Sequence, residues 1–162
     1  MTPLVKVSDR VYAKLEAYQP TGSVKDRLIG YLVEDALLEG SITPGKTKLV
    51  EATSGNTGIS LASAAAKLGC ECVSIMPGNM SRQRKQMMKA FGATIIEVGD
   101  NDFQAAISER DRILSNSPTA WAPMQFENLL NIECHYETTA QEIYMQSLQE
   151  NLKWCAYVHG AG

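Results

Sequence analysis

The sequence has no long apolar run and no excess of positive charge. No window approaches the ~20 consecutive apolar residues that span a bilayer, and no basic segment followed by an apolar one opens the chain as in a secretory signal peptide. Lysine and arginine number 15 against 18 aspartate and glutamate, a net charge of −3, so no global positive field attracts nucleic acid. We therefore expect a cytoplasmic protein that binds a small molecule, and neither nucleic acid nor a membrane.

Cysteine and histidine are too few and too dispersed for a recognisable metal site. The four cysteines include the C-x-C pair Cys70 and Cys72 but no C-x-x-C, and only two histidines could join them as ligands. We expect free thiols and no metal. No repeat or linker interrupts the chain, and 162 residues with 44% hydrophobic content are enough to build a buried core.

The chain instead contains a regular alternation of strand-like and helix-like segments. Apolar residues at a spacing of two predict strands at 11–15, 48–52, 71–76, 94–98 and 154–158, with a short apolar stretch at 120–122. The helical spacing predicts helices at 23–39, 54–68 with Ser54 as cap, 81–91, 103–114 and 136–148. This alternation predicts an α/β fold of three layers, a mostly parallel sheet with helices on both faces and ligands at the carboxyl ends of its strands.

One segment has the spacing of a nucleotide-binding loop but the wrong neighbours. Residues 40–47 match the pattern G-x-x-x-x-G-K-[ST]. A phosphate-binding loop lies between a strand and the helix that follows it, whereas here a helix precedes and a strand follows. We interpret residues 40–47 as a polar turn built on Pro44 and Gly45.

A second loop has the neighbours that an anion site requires. The run Thr53, Ser54, Gly55, Asn56 and Thr57 follows a predicted strand and opens a helix, so hydroxyls and unpaired amides converge at the positive end of the helix dipole. The glycine lets the backbone approach a ligand closely. The loop therefore predicts binding of a carboxylate or phosphate, the alternative being an ordinary polar helix cap.

Lys25 stands in the first turn of a predicted helix. The unpaired amides there raise the cost of a positive charge and favour the neutral amine that carbonyl and pyridoxal chemistry requires. The alternative is a solvated surface lysine, because nothing local proves burial. We interpret His135 as structural, since no carboxylate or nucleophile has an evident spacing to it, the basic helix at 82–89 as a solvated face, and Met87, Met88 and Phe91 as its core side.

Six segments, in this order, carry a resemblance to a known family. They are TPLV, QPTGSVKDR, EATSGNTGISLA, MPGNMSRQR, FGATIIEV and QFENLLNIECHYETT. The chain resembles the cysteine synthases, or O-acetylserine sulfhydrylases, and their cystathionine β-synthase relatives, which are enzymes of the tryptophan-synthase-β fold type. The resemblance implies a pyridoxal 5′-phosphate cofactor, a homodimer, and a β-replacement that forms L-cysteine from an activated serine and sulfide.

The resemblance also implies roles for individual residues. It makes Lys25 the catalytic lysine that carries the cofactor, and Asn56 the partner of the cofactor's 3′ oxygen. The residues implied to bind the substrate α-carboxylate are Thr53, Ser54, Gly55, Thr57 and Gln125, with Phe126 beside them. Gly160 and Gly162 are implied to begin the loop that holds the cofactor phosphate.

The resemblance finally implies three parts of the chain. These are N-terminal strands at 1–24 that pack toward a large domain, a small α/β domain at 25–132 with the lysine and the carboxylate loop, and the start of the large cofactor-binding domain at 133–162. Family members are considerably longer, and the chain stops in a glycine-rich turn after a predicted strand, which indicates a fragment. Two alternatives stay open: a cystathionine β-synthase-like reaction, and a non-catalytic α/β module that has lost the cofactor.

Overall fold

The computed structural model describes residues 1–160 and contains a four-stranded parallel sheet and a separate antiparallel hairpin. The order of strands in the sheet is β5-β4-β3-β6, and the hairpin pairs β1 with β2. The strands are β1 (Leu4–Ser8), β2 (Val11–Lys14), β3 (Lys48–Ala52), β4 (Glu71–Pro77), β5 (Thr94–Val98) and β6 (Ala120–Trp121).

Among residues 1–160, six α-helices accompany the strands, and a π-helical turn, His135–Ala140, joins the last two into one helical segment. The α-helices are α1 (Lys25–Leu38), α2 (Asn56–Leu68), α3 (Arg82–Ala90), α4 (Phe103–Asn116), α5 (Leu130–Cys134) and α6 (Gln141–Gln149). Within the described part of the chain, each helix is too short or too polar to cross a membrane.

Adjacent residues of β3 pack on opposite faces of the sheet. Leu49 belongs to a buried cluster with residues of α1, α2 and α3, among them Ile29 and Met88. Val50 belongs to a second cluster with Ala106 of α4. Because successive side chains of a strand point to opposite sides, this alternation places a helical layer on each face. The three-layer α/β fold expected from the sequence is confirmed.

The apolar spacing of α1 accounts for its place in the core. Its buried residues recur at intervals of three and four, which places them on one side of the helix, and they are Leu28, Ile29, Leu32, Val33 and Ala36. The helix α2 ends at Gly69, whose φ of 63° is the left-handed conformation that glycine adopts readily. These two helices match their predicted positions to within a few residues.

The predicted strand at 154–158 is wrong. Residues 152–160 have no regular secondary structure and are mostly exposed, since no described strand lies beside them to share backbone hydrogen bonds. The apolar spacing also did not predict β1, which lies in the region 1–24 where the resemblance implied strands. Both errors concern segments whose conformation depends on a neighbouring strand.

Two predicted apolar helix faces are also wrong in part. Met88 of α3 is fully buried, but Met87 and Phe91 are exposed. The predicted helix at 136–148 begins earlier, at Leu130, and its Tyr136 and Leu148 are exposed. Helical spacing identifies a common face, but it does not show that another element covers that face.

A cluster of charged and polar groups joins the hairpin to α1 and α6. We call Thr2, Lys14, Glu16, Arg27 and Glu142 the Arg27 cluster. Arg27 Nε donates to Glu16 Oε2 at 2.7 Å, and Arg27 Nη2 donates to Glu142 Oε2 at 2.8 Å. Lys14 Nζ lies 2.7 Å from the same Glu142 oxygen. Segments from both ends of the chain therefore meet at one guanidinium.

The Arg27 cluster keeps its two carboxylates ionised. Burial acts to raise the pKa of Glu16, but hydrogen bonds from Arg27 and Thr2 outweigh it and lower that pKa to about 2. The hydrogen bond from Arg27 is the largest cause at Glu142, whose pKa is also lowered to about 2. The stabilisation is therefore complete above the ordinary carboxyl value of 4.5 and is lost as the pH falls toward 2.

Replacing Arg27 tests this cluster. Arg27→Met removes the cation and leaves two partly buried carboxylates facing each other, so we expect the free energy of unfolding at neutral pH to fall by about 3 kcal/mol. Urea denaturation at neutral pH measures the loss. The matched control is Arg82→Met on the exposed surface of α3, with an expected change below about 0.5 kcal/mol.

The pH dependence of this difference identifies its origin. The gap in unfolding free energy between wild type and Arg27→Met should narrow near pH 3, because the unfolded chain, with carboxyl pKa values near 4.5, takes up protons there while the folded wild type, with values of about 2, does not. An equally large difference in unfolding free energy at neutral pH and at pH 3 would contradict an ionic origin.

Candidate active site

The loop after β3 lies at the carboxyl edge of the sheet. Thr53 is only 8% exposed, and its backbone amide donates to the carbonyl of Ile75 in β4 at 2.9 Å. Its hydroxyl accepts a weak hydrogen bond from the amide of Gly55 at 3.4 Å. The parallel β3–β4 pairing therefore continues into the loop and fixes where the loop begins.

The loop leads into a helix that has no side-chain cap. The residue in the cap position of α2 is Gly55, which makes no side-chain hydrogen bond, so the prediction of Ser54 as the cap is wrong. The first amides of a helix have no partner within the helix. Uncapped amides at the positive end of the helix dipole can bind an anion.

The loop after β6 meets this helix through a buried hydrogen bond. Thr57 Oγ1 donates to Gln125 Oε1 at 2.7 Å, and the two residues are 3% and 8% exposed. Asn131 Nδ2 donates to the carbonyl of Gln125 at 2.9 Å, which fixes the backbone as well. Because Thr57 occupies the amide oxygen of Gln125, that side chain can meet an anion with its Nε2 donor.

Lys25 is the first residue of α1 and is half-buried. Its backbone amide lies 3.3 Å from Ser23 Oγ, within hydrogen-bond distance. Just before it, Thr21 donates its amide and its hydroxyl to Asp26, and the same hydroxyl lies 3.3 Å from Ser60 Oγ of α2. These contacts hold the start of α1 against α2, the helix that begins at the anion loop.

His135 lies close to Lys25. Burial lowers the pKa of His135, and the positive charges of Lys25 and then His159 lower it further. His135 Nδ1 is 2.9 Å from Thr139 Oγ1 within the π-helical turn. No spacing in the sequence predicts this effect of Lys25 on His135, because α1 and the π-helical turn are far apart in the chain.

Other predicted site residues lie at the surface or outside the described part. Asn56 is exposed at the start of α2, and the Phe126 side chain is 84% exposed. Gly160 is exposed, with open space where a Cβ would stand. Gly162 lies outside the described residues. Arg84, not singled out from the sequence, has Nη1 3.8 Å from the position of a Cβ on Gly55.

Two buried charged residues near the site were missed by the sequence analysis. They are Glu51 of β3, 2% exposed, and Arg110 of α4, 4% exposed. The available signal was a carboxylate inside the apolar run of β3, because a buried charge requires a partner. The sequence cannot identify Arg110 as that partner, since the contact depends on how α4 packs.

No metal centre accompanies these groups in the part of the chain that the structure describes. Nowhere among residues 1–160 do three or more histidine, cysteine, aspartate or glutamate side chains lie together so that they could hold an ion. All four cysteines are free thiols, as the sequence analysis expected. The donor groups at the loop are instead hydroxyls and amides, which suit an organic anion.

These features define an α/β protein with a half-buried lysine and an uncapped helix start whose amides can bind an anion. Its groups fit a pyridoxal cofactor with an amino acid: an amine for the aldehyde, and hydroxyl and amide donors for a carboxylate. The sequence profile of the pyridoxal-phosphate dependent enzymes matches residues 1–162. The chain belongs to that family, and the resemblance described above is confirmed.

Curated relatives match almost the whole chain. A cysteine synthase from Flavobacterium sp. is 37% identical over 99% of this chain and 54% of its own length. An O-acetylserine dependent cystathionine beta-synthase from Bacillus subtilis has the same identity and coverage. The chain thus spans about half the length of these curated relatives.

Solved structures share the fold. A hydrogen sulfide-producing enzyme from Fusobacterium nucleatum superposes with a TM-score of 0.83 at 38% identity, covering 90% of this chain and 49% of the other. An O-ureido-L-serine synthase superposes with a TM-score of 0.84 at 34% identity, covering 90% and 48%. These likenesses agree with the tryptophan-synthase-β-like fold expected from the sequence.

A glycine of α2 tests how closely the loop must pack. A Cβ on Gly58 would lie 2.8 Å from Met88 Cε and 2.9 Å from Thr53 Cγ2. We expect Gly58→Ala to lower the free energy of unfolding by about 2 kcal/mol in urea denaturation, because Met88 or Thr53 must move.

The matched control is another helical glycine. Gly30 of α1 is exposed and has open space where a Cβ would stand, so Gly30→Ala should stabilise the protein by about 0.5 to 1 kcal/mol. Equal effects of the two substitutions would show that the close contact at Gly58 does not constrain the loop.

Proposed function

We propose that the chain contributes the substrate-binding half of a pyridoxal phosphate enzyme that performs β-replacement on an activated serine. The observation that carries this proposal is the buried hydrogen bond between Thr57 and Gln125. It joins two loops at the carboxyl edge of the sheet, beside the uncapped start of α2. A substrate carboxylate there meets donors from both loops.

In this proposal the carboxylate loop orients the substrate. Hydroxyls of Thr53 and Ser54, the backbone amides of Gly55 and Thr57, and Nε2 of Gln125 bind the α-carboxylate, while the Thr57 hydroxyl orients Gln125. The exposed Phe126 lies next to Gln125 along the chain. Charge-assisted hydrogen bonds of this kind contribute roughly 1.5–3 kcal/mol each. Fixing the carboxylate aligns the α-carbon with the reacting groups.

Lys25 is the proposed catalytic residue. Its Nζ would hold the cofactor through the aldehyde group and, with the substrate bound, would accept the proton from the α-carbon. Pyridoxal phosphate, when bound, supplies an electron sink that makes this proton acidic. Asn56 is the proposed donor to the 3′ oxygen, and Gly160 and Gly162 the proposed first residues of the phosphate loop.

The finer proposal concerns the two reactants. We propose O-acetyl-L-serine and sulfide: the acetate group leaves the β-carbon, sulfide adds there, and L-cysteine is the product. Support comes from the relative named as a cysteine synthase. The relative named as an O-acetylserine dependent cystathionine beta-synthase supports the same activated serine with a different thiol.

The assembly is also part of the proposal. We propose a cytoplasmic homodimer with the three parts 1–24, 25–132 and 133–162 described above. The Arg27 cluster supports packing of the N-terminal strands toward residues 133–162, because Glu142 lies at its centre. The exposed apolar side chains Ile132, Tyr136 and Leu148 on the α5–α6 segment support an interface there.

A labelling experiment tests the role of Lys25 without relying on turnover. Borohydride reduction of the chain mixed with pyridoxal phosphate should fix one cofactor to Lys25, and peptide mass spectrometry should locate it there. Lys25→Ala should lose the label, whereas the control Lys46→Ala, at an exposed turn, should keep it. Labelling spread equally over surface lysines would contradict the assignment.

A product assay tests the reaction. The chain loaded with pyridoxal phosphate should form L-cysteine from O-acetyl-L-serine and sulfide, detected by chromatography. If the chain forms cystathionine from homocysteine but no cysteine from sulfide, the reaction is the cystathionine β-synthase-like alternative and not cysteine synthesis. Specific labelling of Lys25 with neither product would favour a cofactor-binding chain that has no activity alone.

A further inference from the structure

The loop after β6, residues 122–129, begins and ends on α1, the helix that starts at Lys25. Trp121 is the last residue of β6 and Leu130 is the first residue of α5, and both pack against one buried cluster. The residues that α1 contributes to the buried centre of this cluster are Leu28 and Leu32. Because close-packed apolar contacts resist displacement, both ends of the loop keep a fixed place on α1.

The start of the helical segment that follows the loop is held on α1 by two further contacts. Cys134 of α5 is fully buried in the same cluster. The Tyr31 hydroxyl of α1 donates to Glu133 Oε1 of α5 at 2.8 Å. Asn131, the second residue of α5, therefore lies in a turn of helix whose position relative to α1 is fixed.

Within the loop, the backbone beside Gln125 forms a strained turn. Met124 has a φ of 49°, a left-handed conformation that residues other than glycine rarely adopt. Its carbonyl accepts the amides of Glu127 and Asn128 at 2.9 and 3.0 Å. Such a conformation persists only when surrounding contacts hold it in place. The hydrogen bond from Asn131 Nδ2 to the carbonyl of Gln125, at 2.9 Å, is such a contact.

Gln125 is thus attached at two points that belong to different helices. Its backbone carbonyl is held from α5 by Asn131, and its side-chain Oε1 accepts the Thr57 hydroxyl of α2 at 2.7 Å. The first contact fixes the backbone relative to α1, and the second turns the side chain toward the uncapped start of α2. Together they determine where the Nε2 donor lies.

We propose that Asn131 is a positioning residue: with Leu130 packed on α1, its side-chain amide fixes the Gln125 donor at a set distance from Lys25. A substrate amino acid brings its amine near Lys25 and its carboxylate to Gln125, so the separation of these two groups decides whether the α-carbon is aligned. Asn131 acts through Gln125 and does not touch the substrate. This consequence for binding rests on the proposed function above, whereas the effect of Asn131 on the turn does not.

Asn131→Leu tests the effect on the turn. The substitution keeps the approximate size of the side chain, adds no charge and removes the donor to the Gln125 carbonyl. We expect hydrogen exchange at the amides of Glu127 and Asn128, followed by NMR, to accelerate about tenfold, because the turn opens more often. Amides of β3 and β4 should keep their exchange rates. Asn131→Asp, which stays polar but lacks the amide donor, should accelerate the same two amides.

The matched control is Asn116→Leu. Asn116 Nδ2 donates to the carbonyl of Arg112 at 2.7 Å, so the control loses the same kind of hydrogen bond at the exposed end of α4. It should leave exchange at Glu127 and Asn128 unchanged. Unchanged exchange at these two amides in Asn131→Leu, or acceleration spread evenly over the sheet, overturns the proposal.

A pair of ligands tests the consequence for binding. With the chain loaded with pyridoxal phosphate, Asn131→Leu should weaken binding of L-serine about tenfold and leave binding of ethanolamine, which lacks the carboxylate, unchanged. An equal loss for both ligands overturns the positioning role. If the wild type binds both ligands equally, the proposed carboxylate site fails, while amide exchange still decides whether Asn131 holds the turn.

A double variant tests whether Asn131 acts through Gln125. In a chain that already carries Gln125→Met, the carboxylate donor is gone, so adding Asn131→Leu should change the affinity for L-serine by less than about twofold. A further loss of about tenfold in that background would show that Asn131 affects binding by another route, and would overturn the proposal.

Discussion

The position of the candidate lysine depends on one guanidinium. Arg27 lies two residues after Lys25 on α1 and donates to carboxylates from the segment before the helix and from α6. A buried cation needs full compensation, and two ionised carboxylates with Lys14 beside them provide a closed arrangement of charge. The first turn of α1 therefore cannot rotate without separating these charges. The end of the helix that carries Lys25 is fixed by this network.

The parallel sheet supplies the second constraint. The β3–β4 pairing aligns Ala52 with Ile75, and β6 pairs with the beginning of β3. Segments that follow parallel strands emerge at the same edge, so Thr57 and Gln125 meet although they are distant in sequence. Close packing of Gly58 against Thr53 and Met88 adds a steric limit. The strand register therefore places the loops, and the lack of a Cβ at Gly58 allows α2 to pack closely against Thr53 and Met88.

The spacing of apolar and polar residues along the chain predicted most helices and strands of the three-layer fold and the loop of the candidate site. The helical spacing of α1 and α2 and the polar loop between β3 and α2 depend on neighbours in sequence, so they could be read directly. The Glu51–Arg110 pair, the proximity of His135 to Lys25, and the absence of a strand at 154–158 depend on packing between distant segments. The N-cap of α2 is Gly55 and not the adjacent Ser54, because the helix begins one residue later than the sequence pattern predicts.

The π-helical turn between α5 and α6 has a consequence for the length of this segment. Such a turn holds one more residue than an α-helical turn, and each residue of an α-helix advances it by about 100°. The wider turn absorbs the rotation of its extra residue, so losing one residue from 135–140 would restore a regular helix and leave Glu142 facing Arg27, whereas losing two would turn Glu142 away by about 100°. The segment therefore tolerates a change of one residue in length here, and a larger change would separate Glu142 from Arg27.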